Sequence, residues 1–394
     1  MDFSLPEEQK KRRGEFFQAC KELEKNKPPE YKGVETIFTC DESWEYYMHC
    51  RREFARRKWT TLNWPAEYGG HGDMMDRVFL AEAMGYHEVP GLDGWGIQML
   101  APTLLAVASD EIKKKFLPPI ARAEVQWCEM WSEPNAGSDL ASLTSTAIRK
   151  GDEFVINGQK IWTSGAHRSD WAFGVFKSDP EAKKHHNLTF LLLDMKTPGI
   201  TIRPIPYMNG MHVYNEVFLD DVRVPAENIV GQEHGGWAVV NTLAAFERSF
   251  IEIVMMMVRM MEDLIAYCSQ TRRNGQFLSS TPVIRNRLSQ LACELEAARM
   301  LSYRIADLQG RDEMALIQPA GLKVFASNLG ERMALIATDI LGPFGQVKTS
   351  RWAPLDGFWE NQCQECFGPS IAAGSTEIQK NIIAWYGLGL PRMK

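Results

Sequence analysis

The sequence has no long apolar run, no excess of basic residues and no leader-like first segment. No stretch reaches the roughly 18 apolar residues that suggest a membrane-spanning helix. Lys and Arg number 44 against 50 Asp and Glu, a net charge of −6 that offers no electrostatic basis for binding nucleic acid. The first residues, MDFSLPEEQKKRR, lack the apolar core of a signal peptide and the acid-poor character of a transit peptide. We therefore expect a cytoplasmic protein with no membrane span and no nucleic-acid partner.

Cysteine and histidine are sparse and show no ligand spacing. The eight cysteines of the 394-residue chain match no small disulfide framework, so reduced thiols are expected. Cys363 and Cys366 form a single CxxC, whose redox or zinc role would need a thioredoxin-like context or a second ligand pair, and neither is visible. The eight histidines contain no HExxH or comparable pattern. The sequence therefore predicts no metal site.

The hydrophobic pattern of the sequence changes between three zones of the chain. Residues 1–124 show mostly helical periodicity. Residues 125–235 carry short runs rich in Val, Ile, Phe and Thr, typical of strands, and the Asn157-Gly158 pair is of the kind that closes a tight hairpin. Residues 236–394 return to long amphipathic helices with short links. We predict an α+β fold with an N-terminal helical domain, a middle β domain and a C-terminal antiparallel helical bundle.

An acid and a base interrupt the apolar run NTLAAFERSFIEIVMMMV. At helical spacing Leu243, Glu247, Ile251 and Val254 would share one face of a single long helix, so Glu247 would lie on a stripe that normally faces a core. One explanation is a buried or half-buried ion pair. The other is catalysis, since a carboxylate in apolar surroundings has a raised pKa and becomes a usable base near neutral pH. The residues alone leave both explanations open.

Five segments along the chain carry a stronger signal together than any one of them alone. They are NWPAEYGGHG (63–72), MWSEPNAGSD (130–139), INGQKIWTSGAHRSDWAFGVFK (156–177), NEVFLDDVRVPAENIVGQEHGGW (215–237) and AAGSTEIQKNIIA (372–384). In this order and spacing they resemble the acyl-CoA dehydrogenase family over essentially the whole chain. The resemblance implies a flavoprotein that holds FAD between the β domain and the C-terminal bundle and takes an acyl-CoA as substrate. It also implies a homotetramer or heterotetramer that passes electrons to electron-transferring flavoprotein.

The resemblance implies a flavin site built from several of these segments. Met130 and Ser132 would lie at the flavin, and Ser164 near its N5 atom. Trp162 would cover one face of the ring, two residues before Ser164 on the same face of a strand. Without the resemblance, Trp162 would be interpreted as a core tryptophan. The resemblance also places Ser375 and Glu377 at the adenosine or ribose of the flavin. At the positions of Thr271 and Asn274 the family commonly supplies an Arg and a Phe to the neighbouring subunit's FAD. Arg272 and Arg273 stand beside these two positions and are the implied flavin contacts there.

The residue that usually supplies the family's catalytic acid is replaced in this chain. That position, directly before Gly374, is Ala373. In the branched-chain and long-chain types the acid lies instead on a bundle helix directly before an arginine, a position that matches Glu247. The resemblance therefore implies that Glu247 removes the α-proton while hydride passes to flavin N5, and that the Ala373 N–H donates to the thioester oxygen. The residues implied at the acyl-CoA are Ser138, Phe246, Arg248 and Gly374.

Three hypotheses follow from the sequence. The first is an active acyl-CoA dehydrogenase that forms the 2-enoyl-CoA. The second is a weakly or non-catalytic subunit that completes a flavin site in a mixed tetramer, which Thr271, Asn274 and Pro343 keep open. The third is an acyl-CoA oxidase-like flavoenzyme. Trp95 and Met99 lie four residues apart in a segment that resembles the family's acyl-pocket helix, and their bulk favours a short, branched or ring-bearing acyl chain.

Overall fold

The computed structural model describes residues 5–246, 250–311 and 316–392, and of residues 245 and 246 it describes the backbone alone. The chain divides into two compact units. The helical unit contains the described residues of 5–25, 73–89 and 250–392, and the mixed unit contains residues 26–72 and 90–246.

The regular elements follow one another in three groups along the chain. The helices before the sheet are α1 (Glu7–Glu24), α2 (Asp41–Arg56), α3 (Met74–His87), α4 (Ala101–Val107) and α5 (Asp110–Ala121). The strands of the sheet are β1 (Trp127–Met130), β2 (Thr146–Lys150), β3 (Glu153–Lys160), β4 (Trp171–Lys177), β5 (Leu188–Asp194), β6 (Ile200–Ile205), β7 (Tyr214–Pro225) and β8 (Ile229–Val230). The later elements are α6 (Gly236–Phe246), α7 (Ile251–Gln270), the hairpin β9 (Arg272–Arg273) and β10 (Gln276–Phe277), α8 (Pro282–Gly310), α9 (Ile317–Leu341), α10 (Phe358–Glu365), α11 (Gly368–Ile371) and α12 (Thr376–Ile382).

The helical unit is built around α7, α8 and α9. Their apolar faces bury Val254, Leu291 and Leu329 in one core, against which Trp359 of α10 packs. α3 contacts α1, α7 and α8, and its buried residues are apolar except for Glu82 and His87. Of these two, Glu82 is completely buried. Burying that carboxylate requires partners, and it accepts hydrogen bonds from the Arg13 side chain of α1 and the Tyr303 hydroxyl of α8. An ion-pair network therefore joins three helices of this unit.

The mixed unit contains a mostly antiparallel sheet of strand order β6-β7-β3-β2-β4-β5-β8, with β1 parallel to β4. β4 and β5 are apolar along nearly their whole length because both of their faces are covered, and α6 packs against them. The predicted α+β fold is thus confirmed, with helices, then a sheet, then helices along the chain. The domain boundaries after residues 124 and 235 stay a prediction.

The hairpin predicted at Asn157-Gly158 is wrong. Both residues lie inside β3, where the register with β7 shifts between Ile156 and Gly158, so the pair forms a bulge. The Asn157 side chain donates to the Asp221 carboxylate at 3.0 Å and accepts from the Asp221 N–H at 2.9 Å. The turn between β2 and β3 lies instead at Gly151, which has a positive φ of 64°. Pairing with a strand some 60 residues away decides the role of Asn157.

The single long helix predicted across NTLAAFERSFIEIV is also wrong. α6 is described as far as Phe246, α7 begins at Ile251, and Phe250, directly before α7, adopts a left-handed backbone with a φ of 51°. A helix cannot continue through such a residue, so the helical face inferred to join Leu243 to Val254 does not exist. Glu247 and Arg248, the proposed base and its neighbour, lie outside the described residues, and the Phe246 side chain is likewise not described.

Candidate active site

The loop that follows β1 is held by a buried ion pair. The Lys160 ammonium, completely buried in β3, donates to Glu133 Oε1 at 2.9 Å and to the carbonyls of Trp131 and Val175 at 3.2 and 3.0 Å. The Glu133 carboxylate also accepts from the N–H groups of Thr144 and Ser145, at 2.6 and 3.0 Å. Both ends of the loop are therefore fixed to the sheet, with Ser132 and Ser138 between them.

The electrostatics of this pair reflect its burial. Burial lowers the pKa of Lys160 to about 8, although the charge of Glu133 opposes this shift. Burial alone would raise the pKa of Glu133, but the charge of Lys160 and the donors of Thr144 and Ser145 outweigh it and hold the value at about 2. Neither residue was predicted from the sequence. A charged residue inside the strand pattern of VINGQKIW was the signal that could have identified Lys160.

The segment after β3 brings the predicted flavin residues together. β3 ends at Lys160, so Trp162 and Ser164 lie in an irregular segment and not on one strand face as predicted. The Ile161 N–H donates to the Ser132 carbonyl at 2.9 Å, which joins this segment to the loop after β1. Ser132 and Ser164 are both half-buried. The two hydroxyl-bearing residues thus belong to neighbouring segments of one unit.

Trp162 is exposed and its backbone is strained. Its side chain is 54% exposed, its φ is +61°, and its ring is nearly perpendicular to that of Tyr214, with 5.7 Å between ring centroids. The alternative of a core tryptophan is therefore wrong. A non-glycine residue in the left-handed region often marks a functional site, and an open indole face beside two serines fits a planar ring ligand with polar edges. These residues suit the isoalloxazine ring of a flavin.

Met130 and Ser138 occupy different environments. Met130 is completely buried and its side chain packs in the sheet core, so any flavin contact falls to its main chain. Ser138 is exposed on the loop. Its neighbour Asp139 pairs with Lys184 at 2.6 Å, which fixes the end of the loop from outside. Ser138 is therefore accessible to a substrate.

In the helical unit, the loop before α12 has an unusual backbone. Ala373 and Gly374 adopt successive left-handed conformations, with φ of 51° and 76°. The Gln379 side-chain amide donates to the Ala373 carbonyl at 3.1 Å, which holds the turn. Ala373 is exposed, and its N–H donates to no acceptor within the described residues. The loop thus presents a free backbone donor, as an oxyanion site requires.

The beginning of α12 contains the two other residues predicted at the flavin. Ser375 is the N-cap of the helix, and its hydroxyl accepts from the Ile378 N–H at 3.4 Å. Glu377 is exposed in the first turn, where its own N–H and the Ser375 hydroxyl lower its pKa. The Lys323 ammonium of α9 interacts electrostatically with Glu377, and it is buried with no hydrogen-bond partner among residues 5–246, 250–311 and 316–392.

Arg272 and Arg273 lie in the β9–β10 hairpin, and both contact their own unit. Arg272 donates to the Gly275 carbonyl at 2.7 Å and lies over the Phe277 ring at 3.9 Å. Arg273 donates to the Ile340 carbonyl at 2.7 Å. Both residues remain exposed. Their predicted role at a neighbouring subunit's FAD stays a prediction.

The segment predicted to resemble an acyl-pocket helix begins as a π-helical turn, Gly96–Leu100, that continues into α4. Met99 is buried and Trp95 is half-buried, with its ring edge against Phe38 at 5.6 Å between centroids. Both this turn and α4 pack on α6, whose described residues reach Phe246, the residue before Glu247 in the sequence. The segment therefore adjoins the helix that leads to the proposed base.

The cysteine thiols lie mostly in buried or half-buried positions. None of the eight cysteines forms a disulfide bond, and burial raises the pKa of Cys366 to about 11. Within the described ranges, no cluster of three or more His, Cys, Asp or Glu residues could hold a metal ion. Among the helices described, none combines the length and the apolar character needed to cross a membrane.

Comparison with known proteins identifies the family. Three family models match: the acyl-CoA dehydrogenase N-terminal domain at residues 31–124, the middle domain at 128–222 and the C-terminal domain at 234–386. The acyl-CoA dehydrogenase IpdE1 of Mycobacterium tuberculosis is 36% identical over 339 residues, covering 84% of this chain and 85% of its own.

Two solved structures are similar over their full length. The Tcur3481-Tcur3483 steroid ACAD superposes with a TM-score of 0.89 at 29% identity, covering 100% of both chains. The ChsE4-ChsE5 complex from Mycobacterium tuberculosis superposes with a TM-score of 0.88 at 28% identity and the same coverage. The chain therefore belongs to the acyl-CoA dehydrogenase family, whose members are FAD-containing oxidoreductases that act on acyl-CoA thioesters.

Proposed function

We propose that this chain catalyses the α,β-dehydrogenation of an acyl-CoA thioester to the 2-enoyl-CoA, with Glu247 as the base. The observation that carries the proposal is the loop before α12, which presents an exposed backbone N–H at Ala373 and no carboxylate at that position. Of the two positions at which the family places its base, only that of Glu247 holds an acid in this chain. Bound FAD supplies the two-electron oxidant.

Residues of the chain activate the substrate, remove its α-proton and hold the flavin. The Ala373 N–H donates to the thioester oxygen and makes the α-carbon more acidic. Glu247 takes the α-proton, a role that typically contributes about 10²–10⁴-fold to the rate. Trp162 offers its indole face to the flavin ring, while Ser132 and Ser164 donate hydrogen bonds to its polar edge.

The remaining predicted positions have binding roles. In the proposal, Ser138, Phe246, Arg248 and Gly374 contact the acyl-CoA, and Ser375 and Glu377 hold the adenosine or ribose of the flavin. The exposure of Ser138 and of the α12 loop supports these roles.

Glu247→Gln is the decisive test. The amide has nearly the same shape, so we expect an intact fold, an intact flavin spectrum and acyl-CoA binding, while anaerobic flavin bleaching by substrate falls by about 10²-fold or more. Stopped-flow absorbance measures the bleaching, and thermal melting run in parallel measures stability.

The matched control is Glu252→Gln, a second acid close in the sequence. Glu252 faces the buried Arg77 guanidinium, so this variant should lose stability and keep the bleaching rate per folded site. If Glu247→Gln behaves in the same way, Glu247 is an ion-pair partner and the base lies elsewhere.

Two other activities are distinguished by the flavin itself. In a tetramer purified with its partner chain, Glu247→Gln would leave flavin bleaching unchanged if this chain is a largely non-catalytic subunit, and it would slow bleaching if this chain is the active dehydrogenase subunit. An oxidase-like enzyme would reoxidise rapidly in air after anaerobic bleaching, and a dehydrogenase would reoxidise slowly and need electron-transferring flavoprotein, the acceptor that we propose.

For the substrate, we propose a ring-bearing acyl group. Trp95 and Met99 bring bulk to the π-turn, and the structurally similar Tcur3481-Tcur3483 protein is a steroid ACAD. A panel of acyl-CoA thioesters assayed with an artificial electron acceptor tests the proposal. A clear preference for long unbranched chains would contradict it.

For the assembly, we propose a tetramer that contains two kinds of chain. Large apolar side chains lie exposed on the helical unit, among them Phe344, Trp352, Ile371, Tyr386 and Leu388, and a second chain would cover them. The similar ChsE4-ChsE5 structure is a complex of two named components. Light scattering of the chain alone and with a candidate partner tests this, and a fully flavinated and active monomer or tetramer of this chain alone would exclude it. The cytoplasmic location stays a prediction.

A further inference from the structure

A buried polar cluster lies directly beneath the π-turn Gly96–Leu100. Arg51 of α2 and Asp93 are both completely buried, with 3.9 Å between Arg51 Nη2 and Asp93 Oδ2. Gln126 lies between them: its side chain accepts from Arg51 at 2.8 Å and donates to Asp93 Oδ1 at 3.2 Å. Arg51 also donates to the Val125 carbonyl at 2.7 Å. The cluster thus connects α2, the segment before β1, and the π-turn.

Asp93 holds the π-turn by both its side chain and its main chain. Its Oδ1 accepts from the Trp95 N–H at 3.1 Å, and its carbonyl accepts from the N–H groups of Ile97 and Gln98, each at 3.1 Å. The bond from Gln98 spans five residues, as does the 2.8 Å bond from the Leu100 N–H to the Trp95 carbonyl, and such bonds define a π-turn. Wide turns of this kind occur often at functional sites.

The turn also packs tightly on the Asp93 carboxylate. A Cβ at position 96 would overlap Asp93 Oδ2 and come within 2.8 Å of Trp127 Cδ1, so only glycine allows this approach. A gain in stability does not explain why a charged carboxylate lies at position 93. Asp93 Oδ2 has no hydrogen-bond partner within the described part of the chain, and burying such a group is costly. A role in shaping the turn accounts for the carboxylate better.

The π-turn adjoins the proposed chemistry. It packs on α6 together with α4, and the described part of α6 reaches Phe246, one residue before Glu247 in the sequence. A substrate whose α-carbon meets that base must extend its acyl group past the elements packed around the end of α6. The side chains of Trp95 and Gln98 on the turn are half-buried and therefore partly accessible.

We infer that Asp93 is a positioning residue that sets which acyl groups the enzyme accepts, by fixing the π-turn Gly96–Leu100 from below. The inference rests on the proposed function. Arg51 and Gln126 hold the Asp93 carboxylate in place, and the turn transmits its position to Trp95 and Gln98.

Asp93→Asn tests the inference with two thioesters, butyryl-CoA and cyclohexanecarboxyl-CoA. The amide keeps the size of the side chain but presents N–H donors to the Arg51 guanidinium or to Gln126, so the turn must shift. We expect the ratio of the two kcat/KM values to change by about tenfold, the range that small changes in pocket shape produce. The change should lie in KM, while flavin content and the bleaching rate at saturating substrate stay within about threefold of the parent values.

Two further variants complete the design. Glu82→Gln, in the helical unit, removes a completely buried carboxylate that Arg13 and Tyr303 bind, and it should lower stability without changing the ratio. Gly96→Ala disturbs the same turn without removing a charge, and it should change the ratio even if Asp93→Asn fails to fold.

The outcomes separate the inference from the proposed function. An active parent protein whose ratio is unchanged in both Asp93→Asn and Gly96→Ala overturns the inference alone, as does an equal loss of activity toward both thioesters. A flavinated parent protein that no acyl-CoA bleaches overturns the proposed function and the inference with it.

Discussion

Lys160→Met tests the buried ion pair that supports the Ser132 loop. The substitution removes three hydrogen bonds, to Glu133 at 2.9 Å, to Val175 at 3.0 Å and to Trp131 at 3.2 Å, and leaves the Glu133 charge without its counter-ion. Breaking a buried pair by removing one partner typically costs about 3–5 kcal/mol. The donors of Thr144 and Ser145 remain on Glu133, so we expect a loss near the lower end, about 3 kcal/mol.

The assay is urea unfolding followed by tryptophan fluorescence, with flavin retention measured on the same samples. A shift of the midpoint without a change of slope would report stability alone. Because Ser132 lies on the loop that the pair supports, flavin retention should fall together with stability.

A matched control and a double variant separate the ion pair from other effects. Lys184→Met removes an exposed ammonium that binds Asp139 on the same loop at 2.6 Å, and it should change stability by no more than about 0.5 kcal/mol. Lys160→Met combined with Glu133→Gln should be more stable than Lys160→Met alone, since no buried charge is left unpaired. A loss below about 1 kcal/mol for Lys160→Met, or no recovery in the double variant, would refute the reasoning.

The acid dependence of stability gives a second readout of the same pair. The folded pKa of Glu133, about 2, lies below its ordinary value of 4.5, so the folded state binds this proton less readily than the unfolded state. Its contribution to stability is therefore fully present above about pH 4.5 and is lost as the pH falls toward 2. Lys160→Met should raise the folded pKa of Glu133 and so flatten this part of the pH–stability curve, as melting temperatures measured from pH 2 to 6 would show.

Three further predictions concern other parts of the structure. Gly374→Ala places a Cβ 2.7 Å from Gln379 Nε2 at a residue with φ of 76°, so it should lower the free energy of unfolding by about 1–2 kcal/mol. It should also slow flavin bleaching, because the Ala373 N–H moves, and an unchanged bleaching rate would argue against that donor. Lys323→Met removes a buried ammonium that has no hydrogen-bond partner in the described chain, so thermal melting should show equal or higher stability. A large loss of stability would reveal a partner for this amine. An Ellman-type thiol reagent should label the exposed Cys293 in the native protein. Burial raises the pKa of Cys50 and of Cys128 to about 12, so these two thiols should react only after denaturation. Rapid labelling of Cys128 in the native protein would contradict its burial.

The order of helices, sheet and helices could be predicted from the sequence because it depends on local periodicity. The apolar runs WAFGVF and LTFLLLD form β4 and β5, and the amphipathic segment after residue 250 forms α7, since each pattern specifies which faces a short element can bury. The family motifs likewise pointed to Ser132, Trp162 and the Ala373 loop from the sequence alone. These features are encoded by residues close together in the chain.

Tertiary structure decided the features that depend on partners distant in the sequence. Asn157 forms a bulge and not a turn because Asp221 binds it from another strand. Glu133 and Lys160 meet across 27 residues to support the loop that carries Ser132. The left-handed Phe250, which separates α6 from α7, interrupts an apolar pattern that would suit one continuous helix. In each case the local pattern was compatible with a regular turn, strand or helix. The observed conformation differs because it depends on long-range contacts or on the path of the backbone, which no short segment encodes.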